Sequence, residues 1–537
     1  MRKTILTATI AVSLLLCLIS IVLNDIPCRD VAGRYAPMAE AFAEGDWLYA
    51  FHPRIQPLQI VSGGIIAYLL PCNGFMALKI ASALWFLAGM FVIWKLFREL
   101  YENTPWIAAA ATAFYALYPY NISMAAEGLR ESCKTFILIL IACGLVKIYK
   151  NLKDYAGYLW LGCGCSLALI SRADMIMTGI FLLYAGLTLE CREKKFPGLS
   201  IISLTMTAVS IVLSSLLNYY VCGQAMPDYR FAEIFEKAVN HPAGIADIAA
   251  VTLALCAMIC AAAMVTARLL RKIHAGIFLA ALIFFMLITS VFTAISNSDS
   301  DVLHFIASII GGSGNAIAIF SLGTILYLIW KRQFTGGEFL LCLVMLANTF
   351  FNIVPIQLFH KDLYVSDRYL YTAVPLQAGF FVLGIQFIYQ YIRSRCGDQW
   401  AKYAAAISCA SISIAFVFCA LSPTLRAHTG KKDALVRKGT LALASAIQND
   451  YHGAPYRTGT QELKQYSSKK APFVSFDENK KYTAAAYMAG GSSVSSTQED
   501  PDYFAGSIIP DEFATCAIKI TEINFGKYSK TLWRIEK

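Results

Sequence analysis

Residues 58–70 read Leu58-Gln-Ile-Val-Ser-Gly-Gly-Ile-Ile-Ala-Tyr-Leu-Leu70, an uncharged apolar run bracketed by Pro57 and Pro71, and the topology turns on what this run does. A helix needs roughly 20 apolar residues to cross a hydrocarbon core of about 30 Å. At about thirteen residues between two prolines the run is too short to cross, so it reads as a re-entrant or interfacial element on the outer face. Counting it as a span would move every later basic cluster to the wrong side of the membrane.

Outward from it, long apolar runs recur at 4–23, 75–94, 105–121, 133–149, 156–171, 174–190, 198–219, 246–267, 275–295, 306–330, 338–356, 369–389 and 403–421. The first follows Met1-Arg2-Lys3 but ends in Asn24-Asp25 with no small-residue cleavage site, so it reads as a retained helix and not as a signal peptide. Alternate connections carry Lys95 and Arg98; Lys147, Lys150 and Lys153; Arg192, Lys194 and Lys195; Arg268, Arg271 and Lys272; Lys331 and Arg332; Arg393, Arg395 and Lys402. These are the cytoplasmic loops, which places the N-terminus in the cytoplasm.

Composition agrees. Of the 537 residues, 57% are hydrophobic and 15% charged, with a mean hydropathy of +0.56, far more apolar than a soluble domain requires. The net charge of +10 sits in these short loop clusters, so it signals membrane orientation and not nucleic-acid binding. The 16 cysteines fall mostly inside apolar runs and form no paired CxxC framework. Cys28 and Cys72 both lie on the expected outer side, where a disulfide can form.

Cytoplasmic loops of about a dozen residues or fewer leave no room for a βαβ unit or a P-loop. Neither ATP nor a nucleotide sugar is expected to be handled there. The outer side holds residues 24–74, a loop near 220–245, shorter loops near 296–305 and 357–368, and the tail. The tail becomes polar at Ser422-Pro423, with a helical stretch near 431–449, alternating Phe-Val-Ser-Phe at 473–476, a Gly-Gly-Ser-Ser-Val-Ser-Ser loop at 490–496 and Ile518-Lys519-Ile520. The expected fold is an all-α polytopic membrane protein of about thirteen transmembrane helices (residues 1–422) with a small C-terminal α/β domain (423–537) outside.

Ionisable residues of the apolar region gather at the outer ends of spans: Glu127, Arg130 and Glu131; Arg172 and Asp174; His360, Asp367 and Arg368. Ion-coupled transporters place such groups near the bilayer midplane; a layer at head-group depth points to a lipid-linked substrate. Glu127 and Glu131, four apart, fall on one helical face, where ion pairing with Arg130 and Lys134 competes with a catalytic role. In the first outer loop, Asp30-Val-Ala-Gly-Arg-Tyr35-Ala-Pro37 leads into a short helix with Met38, Ala41 and Phe42 on one face, ended by Gly45-Asp46-Trp47, then Phe51-His52-Pro53-Arg54-Ile55-Gln56-Pro57-Leu58. Trp47, Tyr49 and Phe51 are first of all interfacial anchors.

That order, Asp after span one, Tyr five residues on, a short helix ending Gly-Asp-Trp and a basic residue before Pro-Leu, resembles the membrane-embedded C-type glycosyltransferases (GT-C). It is most like the family-39-like members, which include protein O-mannosyltransferases and the aminoarabinose transferase that modifies lipid A. Tyr118-Pro119 followed by Leu129-Arg130-Glu131, Ser171-Arg172, and Arg368-Tyr369-Leu370 leading to Pro375 add to the resemblance. Where many relatives have Asp-Glu, Val31 follows Asp30 here, and one more residue separates Asp30 from Tyr35.

The resemblance implies transfer of a sugar from a polyprenyl-phosphate donor at the outer leaflet to a hydroxyl of a lipid, glycan or protein, with Asp30 as the catalytic carboxylate. The chemistry needs a carboxylate to take the acceptor proton and cations to hold the departing phosphate. Arg54, Arg172 and Arg368 suit the second role, because guanidinium binds phosphate oxygens in pairs. Tyr35, Tyr369, Glu127, Glu131, His52 and His360 complete the candidate substrate-binding set, the histidines being equally suited to a plain interfacial role. No metal ligand set is assigned; a divalent cation is a candidate cofactor, although a single carboxylate is a poor site for one. The topology suits a bacterial inner membrane with a periplasmic C-terminal domain. A lipid-linked glycan polymerase or ligase, and a lipid-linked-sugar flippase, are the competing functions.

Overall fold

The computed structural model describes residues 2–52, 55–193, 198–223, 225–228, 232, 235–237, 241–242, 244–272, 315–359, 371–429, 431–453, 457–458, 469–470, 473–476, 483–494, 501–525 and 528–536. Helices follow the apolar runs: α1 (Arg2–Leu23), α2 (Ala36–Ala43), α3 (Trp47–Ala50), α4 (Leu58–Leu69), α5 (Gly74–Leu100), α6 (Pro105–Leu117), α7 (Pro119–Glu127), α8 (Glu131–Lys150) and α9 (Tyr155–Leu169). They continue with α10 (Ala173–Glu193), α11 (Ser200–Cys222), α12 (Ile245–Lys272), α13 (Asn315–Trp330), α14 (Gly336–Phe359), α15 (Ala378–Cys396) and α16 (Asp398–Thr429). Six described helices are long and apolar enough to cross a membrane, and six apolar helices are shorter. The expected span at 275–295 and the beginnings of those at 306–330 and 369–389 lie outside the described residues.

The expected span at 105–121 is shorter than its apolar run. Pro119 pushes Tyr118 out of the helical region, to φ −62° and ψ 118°, so α6 stops there and α7 begins anew. The decisive run at 58–70 is a 12-residue helix, α4, lying on α2: a Cβ on Gly64 would come within 2.4 Å of the Phe42 ring. It buries Gln59, Ile60, Gly63, Gly64 and Ile66 and exposes Ile65, Tyr68, Leu69 and Leu70, the one-sided pattern of an interfacial helix.

Two compact units emerge, Met1–Leu14, Leu84–Ile122 and Arg130–Val417 in one, and Leu15–Ala83, Ser123–Leu129 and Phe418–Lys537 in the other. The first is all helix. Hydrocarbon supplies no hydrophobic force between helices, so close backbone approach and packing must hold them. Gly144 meets that need: a Cβ there would lie 2.6 Å from the Leu161 amide nitrogen and 2.9 Å from the Gly157 carbonyl, letting α8 and α9 touch backbone to backbone. Leu253, Ile319 and Ile407 stand exposed, as apolar side chains do when lipid is their solvent.

The second unit combines the loop after α1 with the tail. α17 (Lys431–Asp450) and α18 (Thr483–Met488) cover a five-stranded mixed sheet in the order β4-β3-β5-β7-β6. Its strands are β3 (Phe473–Phe476), β4 (Ser492–Val494), β5 (Tyr503–Gly506), β6 (Ala517–Phe525) and β7 (Tyr528–Ile535). A separate ladder pairs β1 (Arg457–Thr458) with β2 (Lys469–Lys470). Leu443, Ile447, Val474, Ala485, Tyr503 and Leu532 form the core of this small α/β part. The run at 490–496, expected as a loop, instead supplies strand β4, parallel to β3 with Phe473 opposite Ser492. Small polar residues are tolerated there because an edge strand packs against one neighbour only. Cys28 and Cys72 form no disulfide in the structure.

Candidate functional site

Asp30 opens a π-helical turn, Val31–Tyr35, that runs directly into α2. The Ala36 amide donates to the Val31 carbonyl five residues back, so this turn holds one residue more than an α-turn. Asp30 stands at the N-cap of the turn with helical φ −66° and ψ −35°. Val31, Ala32 and Tyr35 are buried beneath it, and α18 packs against the turn, with a Cβ on Gly33 falling 3.3 Å from Thr483.

Lys79, buried in α5, donates to the Ile21 (2.9 Å) and Asn24 (2.5 Å) carbonyls at the end of α1. A cation on these last carbonyls fixes the direction in which the chain leaves α1 toward Asp30. Nearby, Asn24 donates to the Ala126 carbonyl (2.9 Å), and Gln59 donates to Ser82 (2.9 Å), which donates to the Leu129 carbonyl (3.0 Å).

The first unit contains a buried charge cluster. Asp174 lies 2.6 Å from Lys134 Nζ and 2.6 Å from Arg172 Nε, and Arg172 Nη1 lies 3.4 Å from Glu131. Lys134 also donates to Asn352 Oδ1 (3.1 Å), whose own amide donates to Asn348. Arg130 acts on Asp174 electrostatically. Among the described residues the cluster therefore holds the cations Arg130, Lys134 and Arg172 and the carboxylates Asp174 and Glu131.

The structure thus brings Arg172 and Glu131 together, but it separates Glu127 from Glu131. Gly128 takes φ +71°, a left-handed conformation that ends α7, so the two glutamates occupy different helices and share no face. Ser123 donates to Glu127 at 3.2 Å. His52 is buried and pairs with Ile55 in an isolated bridge. Arg54, His360, Arg368 and Tyr369 lie outside the described residues. Lys134, Lys79 and Asn352 are the site residues that sequence reasoning did not select; each shows as a polar residue inside or at the edge of an apolar run. Among the described residues, no group of three His, Cys, Asp or Glu side chains could hold a metal ion.

No protein-family model and no curated protein matches the chain. Solved structures do. ArnT from Cupriavidus metallidurans in the apo state is 11% identical with a TM-score of 0.58 over 99% of this chain and 98% of that one. The same protein bound to undecaprenyl phosphate is 13% identical with a TM-score of 0.55, over 98% and 97% of the two chains. The archaeal oligosaccharyltransferase AglB from Archaeoglobus fulgidus, in complex with an inhibitory peptide and a dolichol-phosphate, is 12% identical with a TM-score of 0.50, over 92% of this chain and 69% of that one. Apolar helices long enough to span a membrane and nearly end-to-end correspondence with ArnT lead to one conclusion: this chain is a multi-pass membrane protein with the fold of ArnT.

Proposed function

We propose that the protein moves a sugar from a polyprenyl-phosphate donor to a hydroxyl acceptor at the outer face of the membrane. The observation that carries the proposal is the place of Asp30: a carboxylate at the start of a π-turn whose Val31, Ala32 and Tyr35 are buried, in a fold shared with a protein solved with undecaprenyl phosphate. In the reaction, the acceptor hydroxyl gives its proton to Asp30 as its oxygen bonds the anomeric carbon. The bond from that carbon to the phosphate oxygen breaks, its electron pair stays on the phosphate, and the prenyl phosphate leaves. Arg172, kept in place by Asp174 and Glu131, supplies charge for the departing phosphate, and Arg54 and Arg368 are proposed to share this role.

The proposed topology has a cytoplasmic N-terminus, with residues 24–74 and the domain from 423 to 537 outside, in the manner of a bacterial inner-membrane enzyme. Its support is that loop and tail share one compact unit, joined by the Asp25–Arg437 pair and the Tyr487–Glu40 hydrogen bond, so both face the same compartment.

Mass spectrometry of lipid-linked and outer-surface glycans tests the reading, in cells with the intact gene, without it, and with Asp30→Asn. Deletion and Asp30→Asn should both remove the same single sugar while the donor accumulates, with transfer falling about 100-fold or more, as for loss of a general base. Full transfer by a membrane-inserted Asp30→Asn protein sinks the proposal, and accumulation of whole lipid-linked chains transfers it to a polymerase or flippase.

A further inference from the structure

A cleft of about 320 Å³ lies within the second unit, lined by Asp25, Glu40 and Asn73 from the loop, Phe75 from the start of α5, and Gln448 and Tyr487 from the tail. None of these residues has a role in the transfer chemistry above. The size falls at the small end of ligand pockets, about 300–1,000 Å³, and suits one small ring.

Its walls are pre-set by hydrogen bonds. Glu40 Oε1 accepts from the Tyr487 hydroxyl (2.6 Å) and the Gly74 amide (3.0 Å), and the Tyr487 oxygen accepts from the Phe75 amide (3.2 Å). Burial, reinforced by the charge of Glu40, pushes the Tyr487 phenol up, so it stays a protonated donor at every physiological pH. Arg437 grips Asp25 through two guanidinium nitrogens. Gln448 donates to the Met488 carbonyl (2.9 Å) and Asn73 accepts from the Met76 amide (2.9 Å), which holds both carboxamides in the lining.

The chemistry of this lining selects its ligand. Asp25 feels the charges of both Arg437 and Lys79, and Glu40 accepts from Tyr487 and Gly74, so these carboxylates and cations balance and leave no surplus positive charge to hold a phosphate or another anion. The carboxylates and carboxamides make an unbroken apolar chain costly to bury. Carboxylates and carboxamides offer paired acceptors and donors for neighbouring hydroxyls, while the Phe75 and Tyr487 rings offer flat apolar faces to the C–H side of a ring. A neutral sugar ring satisfies both. Pro37 and Glu40 lie on the helix that continues from the π-turn, and the seven residues from Asp30 to Pro37 cover about 10 Å at 1.5 Å per helical residue.

We propose that this cleft binds a neutral monosaccharide unit of the acceptor, making the acceptor a glycan or glycolipid. Its assignment to the acceptor rests on the transferase reading, but the binding itself does not. The test is saturation-transfer NMR and titration calorimetry on the full chain in phospholipid nanodiscs. The probes are methyl glycosides of hexoses, hexosamines and pentoses, with inorganic phosphate, ethylammonium and a Ser/Thr peptide for comparison.

At least one neutral glycoside should bind, and both Gln448→Ala and Glu40→Gln should weaken it threefold to tenfold, the worth of one hydrogen bond. Gln448 is exposed on α17, so that variant keeps its fold, which circular dichroism verifies. Asp30→Asn should bind the glycoside as wild type does, so a failure of the transfer chemistry is read separately. The proposal is overturned if no neutral glycoside binds, if only the anion, the cation or the peptide binds, or if both variants bind the glycoside with unchanged affinity.

Discussion

Asp174 and Asp398 make the same arrangement in two places. Each stands in the first turn of a helix with two cations on it: Lys134 and Arg172 at 2.6 Å and 2.6 Å for Asp174, Arg393 and Lys402 at 3.1 Å and 2.5 Å for Asp398. Distances alone do not separate them. Exposure does: the side chains are 8%, 1% and 13% exposed in the first triad and 42%, 61% and 67% in the second. In water the Coulomb attraction is screened and ordering long side chains costs entropy, so the Asp398 triad contributes little. In the buried triad each charge depends on its partners, because an unpaired charge there has no water to return to.

The largest expected effect is therefore at the buried triad. Asp174→Ala leaves Lys134 and Arg172 without their shared carboxylate, and stability in detergent should fall by about 3–5 kcal/mol, read as a lowered unfolding midpoint. Lys134→Met combined with Asp174→Leu removes the pair at similar volume and should recover most of that loss, while transfer stays low because Arg172 no longer has its Nε partner. Recovery of both stability and transfer would show that the cluster only packs the bundle.

Asp25 and Arg437, 39% and 26% exposed, fall between the extremes. Partial burial opposes the charged form of Asp25, but the hydrogen bond and charge of Arg437 outweigh it and hold the carboxyl below its ordinary value of 3.8. With the folded pKa below the unfolded one, the pair stabilises the tail above the unfolded pKa, and that contribution disappears as pH falls through the folded value. Hydrogen exchange along α17 should speed up as pH drops from about 5 to about 3, after correction for intrinsic rates, and Arg437→Ala should abolish this extra dependence. Smallest of all, Asp398→Asn should leave the unfolding midpoint unchanged; a clear drop would mean that exposure is the wrong discriminator.

The membrane class, most of the apolar helices, the short helix at 58–70, the tail helix and the strands at 473–476 and 518–520 were all readable from residue order. Each depends on a local property, the hydropathy or alternation of about ten to twenty consecutive residues, which the chain carries wherever it folds. The choice of Asp30 as a candidate came from a contiguous motif in the loop around it. The breaks at Pro119 and Gly128 were written in the chain as well, and an apolar count passed over them.

What linear order could not reveal was partnership. Lys134 finds Asp174 across 40 residues and Asn352 across 218, and Tyr487 reaches Glu40 across 447. The Ser-Ser-Val run at 492–494, inside a Gly/Ser-rich stretch, becomes a strand by pairing with β3. Hydropathy adds up along a segment, whereas hydrogen bonds and ion pairs are short-ranged and need two segments in contact. That is why the sequence alone determined a multi-pass membrane fold, and why the Lys134–Asp174–Arg172 cluster and the cleft between loop and tail came into view only once the chain was folded.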